Sequence, residues 1–228
     1  AFTNFTTTAY LFTTTENFYD CLDHLFDYVQ TPHFTDENVE KEKGIIAQEI
    51  KMYDDDPGWN VSFNAIKAMY VNHPVRVDIA GSVESIYKIT KEELYKCYNT
   101  FYNPGNMALF VIGDLEPEEL FDKVKQANKY DMAKMEEEIT RIYPEEPTTV
   151  NQKEIITQAP ISIPIFNIGF KDDKVNIKGR ELLKYEVMTD ILNEMLFRRG
   201  SEIYENLYMK GLINRSFGAG FTSQIDYA

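Results

Sequence analysis

Apolar positions along the chain switch between helical and strand-like spacing. Phe18, Leu22, Leu25, Phe26 and Val29 recur at helical intervals, which predicts an amphipathic helix with Thr15 as its cap. "TPHF" at 31–34 breaks it, and Thr35 caps a second helix expected to run to about Tyr53. Asp56 caps a third, with Pro57 in its first turn and an end near Val71. Residues 72–89 read as a loop with a short helical turn. Thr90 and Glu93 have the spacing of a capping box that opens a helix through Tyr102. "EPEELFDKVKQA" at 116–127 predicts another helix, "GRELLKYEVMTDILNEMLFRR" at 179–199 a long one, and "SEIYENLYMKG" at 201–211 the last. Four other stretches lack that spacing. "FTNFTTTAYLFTTT" at 2–15 suits a strand or a tight hairpin, and "MALFVIGDL" at 107–115 a fully apolar strand. "KEIIT" at 153–157 and "ISIPIFNIGF" at 161–170 read as two more strands.

Helices and strands mix without a strict strand–helix repeat. That favours an α+β fold, a mostly antiparallel sheet packed by helices, over a doubly wound α/β sheet. Near Asp131 the composition turns charged and Pro-punctuated ("KMEEEITRIYPEEP"). The expected division is a first unit at 1–130, a charged connector at 131–150, and the incomplete start of a second unit at 151–228. Both ends of the chain fall inside strand-like patterns, so a piece of a longer protein is expected.

Charge narrows the choice of partner. Lys plus Arg is 23 and Asp plus Glu is 37, a net charge of −14. Such a chain repels phosphate backbones, which argues against nucleic acid. The longest apolar runs are too short to span a bilayer, and no signal-peptide pattern opens the sequence. Cys21 and Cys97 are isolated and suggest no disulfide framework, in keeping with a cytoplasmic protein.

The second helix carries an anomaly. With Val39 at zero and about 100° per residue, Ile50 falls at about +20°, Ile46 at about −20°, Tyr53 at about −40° and Ile45 at about −120°. Glu42 at about −60° and Glu49 at about −80° interrupt this apolar arc. Glu40, Lys41, Lys43, Gln48 and Lys51 are assigned to the solvated face. Two arrangements fit. Either the arc is shallow and both carboxylates reach water, or they serve a site in which one ligates a metal and the other holds a neighbouring ligand. Catalytic zinc needs three protein ligands, and His24, His33 and His73 lie in neither H-E-x-x-H nor H-x-x-E-H. His24 reads as a surface or satisfied histidine, and His73 as a loop residue. The residues alone give an acidic pair and no complete site.

"VEKEKGIIAQEI" at 39–50 resembles the downstream zinc-site helix of the pitrilysin/insulysin zinc peptidases, the inverzincins, to which mitochondrial processing peptidase belongs. "AFTNFTTTAYLF" is similar to that family's strand after its Asn-Ala-x-Thr element. Residues 73–115, from "HPVRVDIAG" to "NPGNMALFVIGDL", resemble its "HP…G…I…Y.P.NM…VGD" segment. "RRGSEIYENLYMKGLI" looks like the start of the next homologous domain. The likeness covers nearly the whole chain and is strongest to the bacterial YmfH-like branch of processing proteases.

The resemblance implies a metallopeptidase domain that cleaves peptides with zinc-activated water. By motif position, Glu49 matches the third zinc ligand and Glu42 the glutamate that orients a ligand histidine. Ala1, Phe2 and Thr3 match the edge that takes a substrate strand. The H-x-x-E-H helix, with two histidine ligands and the catalytic glutamate, is expected before Ala1. No catalytic residue, and no zinc held by this chain alone, is therefore expected. The family's peptide-contacting Arg and Tyr positions hold Tyr208 and Asn214 here. That departure implies a peptide or small-protein substrate shared with a homologous subunit, as a heterodimer or homodimer. It also leaves open a non-catalytic subunit that binds or positions peptides.

Overall fold

Capping residues set most of the helix boundaries in the computed structural model, which describes residues 1–130, 139–142 and 144–228. Thr35 opens α2 (Asp36–Asp54): its side chain accepts from the Asn38 N–H, and the Asn38 side chain accepts from the Thr35 N–H. Asp56 opens α3 (Pro57–Met69) by accepting from the N–H groups of Gly58 and Trp59, with Pro57 where a missing N–H costs nothing. Ser82 caps the one-turn α4 (Val83–Ile86). Thr90 and Glu93 form the expected box on α5 (Lys91–Phe101). Ser201 caps α8 (Glu202–Met209).

Among the α-helices of the described residues, α1 (Phe18–Gln30), α6 (Pro117–Ala127) and α7 (Gly179–Phe197) start without a side-chain cap. Thr15 does not cap α1. Its N-cap is Asn17, in the left-handed region at φ 54°, which Asn tolerates better than most residues.

Sheet structure is scarcer than the apolar pattern predicts. Among the described residues the sheet is one two-stranded antiparallel ribbon, β1 (Phe2–Thr3) with β2 (Thr8–Ala9), in register Phe2↔Ala9 and Thr3↔Thr8. The N-terminal stretch is thus a hairpin that ends well before Thr15. Residues 107–113, 153–157 and 162–170 make no backbone–backbone hydrogen bonds among the described residues. Phe110 is 87% exposed and Ile112 100%, so the apolar run lies on the surface without a ladder partner. A strand exists only with a neighbour that closes its hydrogen bonds, and the apolar composition does not supply one. Residues 131–138 and 143 of the expected connector lie outside the described residues.

Packing centres on α2, which lies against α3 and α4. Val39, Ala47 and Ile50 of α2, Phe63 of α3 and Ile86 of α4 are buried. Leu22 anchors α1, which packs on α6. The two are tied at one end by the Gln30 side chain, which donates to the Ala127 carbonyl and accepts from the Lys129 N–H. The later part of the chain runs along α3. The Gln152 N–H donates to the Ala68 carbonyl, Asn64 Nδ2 to Thr157 Oγ1, and Asn167 Nδ2 to Ser62 Oγ.

The two parts meet at residues 70–75. Glu146 accepts from the N–H groups of Val71 at 2.9 Å, Asn72 at 2.7 Å and His73 at 2.6 Å, and pairs with Lys171 Nζ. Lys171 also donates to the Pro147 carbonyl at 2.5 Å and lies over the Tyr70 ring. Tyr70 donates to the Ala228 carbonyl at 2.8 Å. His73 lies in the loop before Pro74, as expected, and is only 3% exposed. Its Nδ1 accepts from the Val75 N–H at 3.1 Å, leaving the proton on Nε2, 3.2 Å from Asp226 Oδ2. Burial, the Tyr227 hydroxyl and the Glu146 charge push the Tyr70 phenol up to about 12.

Burial alone would raise the Glu146 carboxyl from its ordinary 4.5. Lys171 and the three N–H groups outweigh burial and hold it at about 2. A carboxylate with a lowered value stabilises the fold above 4.5, and that contribution disappears as pH falls towards 2. The shift corresponds to about 3 kcal/mol, or about 2 kcal/mol after allowance for residual water contact. Glu146→Gln is therefore expected to cost about 2 kcal/mol at pH 7 in urea denaturation. Its gap from wild type should close between pH 4.5 and pH 2.

Candidate metal-binding face of helix α2

Helix α2 has one covered flank and one bare flank. Buried Val39, Lys43, Ala47 and Ile50 recur at helical spacing and form the covered flank, against α3 and α4. Lys43 therefore does not belong to the solvated face. It stands at about +40° from Val39, inside the stripe, and is 8% exposed. Its Nζ donates to Glu40 Oε1 at 2.5 Å and lies 3.5 Å from the Tyr87 carbonyl oxygen just beyond α4. A lysine stem fills apolar space while its ammonium finds acceptors at the edge, which is how this position joins the core.

Glu42 and Glu49 lie on the bare flank. Both are exposed, together with Ile45 and Met52. The buried stripe is rotated away from the arc that apolar spacing predicts, towards Lys43 and Ala47. The glutamates do not interrupt the core of this chain. They alternate with two uncovered apolar side chains instead.

The surroundings of the two carboxylates differ. Glu42 has no hydrogen bond or ion pair among the described residues. Glu49 Oε1 lies 3.5 Å from the Tyr53 hydroxyl, one turn further along α2. The Tyr53 ring is 5.1 Å from that of Trp59, at the α2–α3 corner. Trp59 donates its ring N–H to Asp78 Oδ2 at 3.2 Å. Sequence reasoning did not single out this aromatic tier. The four-residue step from Glu49 to Tyr53 was the available signal for its first member.

A zinc ion needs three protein ligands at a catalytic site. Among the described residues no three His, Cys, Asp or Glu side chains come together in a way that could hold a metal. Glu49 has the donor chemistry for one ligand position, and the described residues do not complete the set. His24 and His33 do not join it, and His73 is engaged with Asp226. Cys21 and Cys97 are free thiols.

Ala1, Phe2 and Thr3 are exposed, and among the described residues β1 is paired along one edge only, to β2. In the later part, Tyr208 is exposed on α8. The Asn214 side chain is taken up locally, accepting from the N–H of Ser216 at 2.8 Å and from its hydroxyl at 2.5 Å. Among the described residues no helix is long and apolar enough to cross a membrane.

Two family profiles match the chain. One described as insulinase (peptidase family M16) covers residues 1–82, and one described as the peptidase M16 inactive domain covers residues 88–228. The chain is 45% identical over 227 residues to a Bacillus subtilis protein named zinc protease YmfH, covering 100% of this chain and 53% of that one. It is 30% identical over 121 residues to a zinc protease of Rickettsia felis, covering 50% of this chain and 29% of the other. A crystal structure of an M16-like peptidase from Alicyclobacillus acidocaldarius superposes with a TM-score of 0.83 at 36% identity, over 93% of this chain and 50% of that one. The chain thus spans about half the length of YmfH and of that peptidase.

Because Glu42 and Glu49 face water, Glu42→Gln and Glu49→Gln are each expected to change unfolding free energy by less than about 0.5 kcal/mol. Lys43→Ala removes a buried stem and leaves a gap, and should cost about 1–2 kcal/mol. Urea melts of the three variants check this ordering.

Proposed function

The chain belongs to peptidase family M16, the insulinase family, and from that membership we propose a zinc-dependent endopeptidase of processing type in its full natural length. The observation that carries the reading is the bare flank of α2, where Glu49 stands exposed between uncovered Ile45 and Met52. An apolar surface interrupted by carboxylates suits a partner element that brings its own metal ligands. The similar proteins are named zinc proteases, which supports zinc as the metal.

In this reading Glu49 supplies one ligand and its negative charge, and residues outside the chain supply the others. Glu42, seven residues earlier on the same flank, accepts a hydrogen bond from a neighbouring ligand and fixes its orientation. A bound zinc would supply Lewis-acid polarisation of the scissile carbonyl and a water of lowered pKa. The free edge of β1, at Ala1, Phe2 and Thr3, pairs with an extended substrate peptide through main-chain hydrogen bonds. The protein acts in the cytoplasm on peptides or small proteins, with a homologous subunit or a second copy completing the enclosure.

A second reading has its own support. The profile over residues 88–228 is described as an inactive domain. Tyr208 and the locally engaged Asn214 stand where relatives are expected to present Arg and Tyr to a bound peptide. On that reading the protein is a non-catalytic subunit that binds or positions peptides.

Zinc content and peptide cleavage of the full-length protein separate the two. An endopeptidase with Glu49 as ligand is expected to carry stoichiometric zinc, and Glu49→Gln to lose both zinc and cleavage. Wild type that binds peptide but neither holds zinc nor cleaves would establish the non-catalytic reading. Full zinc and activity in Glu49→Gln would remove Glu49 from the site.

A further inference from the structure

We propose that the apolar segment 162–170 and the apolar face of α7 are interior surfaces of the full-length protein, covered by a further stretch of the same polypeptide that pairs with 162–170 as a strand. Neither zinc nor Glu49 enters, and both functional readings are compatible with it.

The chain has too much surface for its size. A self-contained monomer of 26.5 kDa exposes about 10,700 Å². This chain exposes 17726 Å², an excess of about 7,000 Å². Large apolar side chains stand open on the segment and on the helix.

Segment 162–170 is seated on one side and unpaired. Asn167 Nδ2 donates to Ser62 Oγ at 3.3 Å, and a Cβ on Gly169 would come within 2.6 Å of the Met69 sulfur. Helix α3 therefore fixes where the segment lies. Every residue from 162 to 170 is nonetheless exposed, Phe170 to 89%. None of their N–H or carbonyl groups makes a backbone hydrogen bond among the described residues. In an extended chain Ile163 and Ile165 fall on one face, and Phe166, Ile168 and Phe170 on the other. A run that is apolar on both faces suits a strand in the middle of a covered sheet, with a neighbour to close its ladder.

Helix α7 is bare along its length. Leu183, Val187, Ile191 and Met195 follow one another at four-residue steps, and Met188 and Leu192 widen the row. All six are exposed, Met195 to 70%. Helix α8 packs on α7 and leaves this row open. An apolar stripe of that width belongs against a core.

The size of the bare surface selects its occupant. A standard interface takes about 800 Å² from each partner, and a large obligate one about 1,000–2,500 Å². A second copy would leave most of the excess uncovered. A continuation of similar length is not limited in that way, and the relatives have one: this chain covers 53% of YmfH and 50% of the Alicyclobacillus peptidase. Pairing inside one polypeptide also removes an open apolar strand edge, which otherwise invites aggregation.

Hydrogen–deuterium exchange on the full-length protein tests the pairing. Amides in 162–170 are expected to exchange about 1,000-fold or more slowly than in an unstructured peptide, at a rate unchanged by dilution. Exchange at the peptide rate means an open segment and overturns the proposal. Protection that vanishes as a dimer dissociates, followed by light scattering, assigns the cover to a second copy and overturns it equally. For α7, Ile191→Asp should lower the melting temperature of the full-length protein by about 5 °C or more, and the milder Ile191→Ala by about 2–5 °C. An Ile191→Ala protein that melts within about 1 °C of wild type places α7 on the outer surface and sinks its half of the proposal.

Discussion

A single carboxylate organises the junction of the chain. Glu146 gathers three consecutive backbone N–H groups, those of Val71, Asn72 and His73, and the ammonium of Lys171. Lys171 is almost fully enclosed, and Glu146 nearly so. Charges withdrawn from water hold a fold together only when every lone pair and proton has a partner. Here the partners are fixed by the chain path. The run after α3 must turn so that three successive N–H groups point one way, and residues 144–171 must return to that spot. Tyr70, His73 and Val75, all buried, are placed by this turn, and the Ala228 carbonyl and Asp226 side chain meet them there. The covered flank of α2 depends on it indirectly, because α3 ends where the turn begins.

The division of α2 into two flanks follows from what the rest of the chain can cover. Elements α3 and α4 reach one side, and Lys43 is taken into that side because its stem fills the space and its ammonium reaches Glu40. The other side carries Glu42, Ile45, Glu49 and Met52 in the open. That mixture is poor as a permanently solvated face and poor as a core. It suits a surface that meets polar ligands within an apolar rim.

Local signals made much of the fold legible. The caps at Thr35, Asp56 and Thr90 act within one turn of their own position, so the residue types alone reveal them. Thr15 failed as a cap because Asn17 takes the left-handed start, a competition between neighbours that a cap list does not resolve. The strand-like stretches at 107–115 and 161–170 were over-read, since apolar composition is necessary for a buried strand but pairing is a long-range matter. On α2 the spacing of the glutamates is legible, and the described residues leave both carboxylates exposed, as the first of the two arrangements allows. Apolar Ile45 pulls the expected stripe to one side, and Lys43, assigned to the solvated face, holds its true centre. Nothing local marks Glu146. It lies in a charged, proline-punctuated stretch, and its importance comes only from the N–H groups of a turn more than seventy residues earlier.

The junction at residues 70–75 also sets an order of events for a chain emerging from the ribosome. The contacts of α2 with α3 and α4 close over shorter sequence distances and can form as those helices appear, whereas α1 waits for α6, 97 to 99 residues later. The Glu146 contacts span 73 to 75 residues, the His73–Asp226 contact 153 and the Tyr70–Ala228 contact 158. Until residues 223–228 are synthesised, the rings of Tyr70 and His73 have no cover from that side. The seam therefore stays open while the intervening chain is made, and the packing of the turn at 70–75 is completed only by a segment 153 to 158 residues further along.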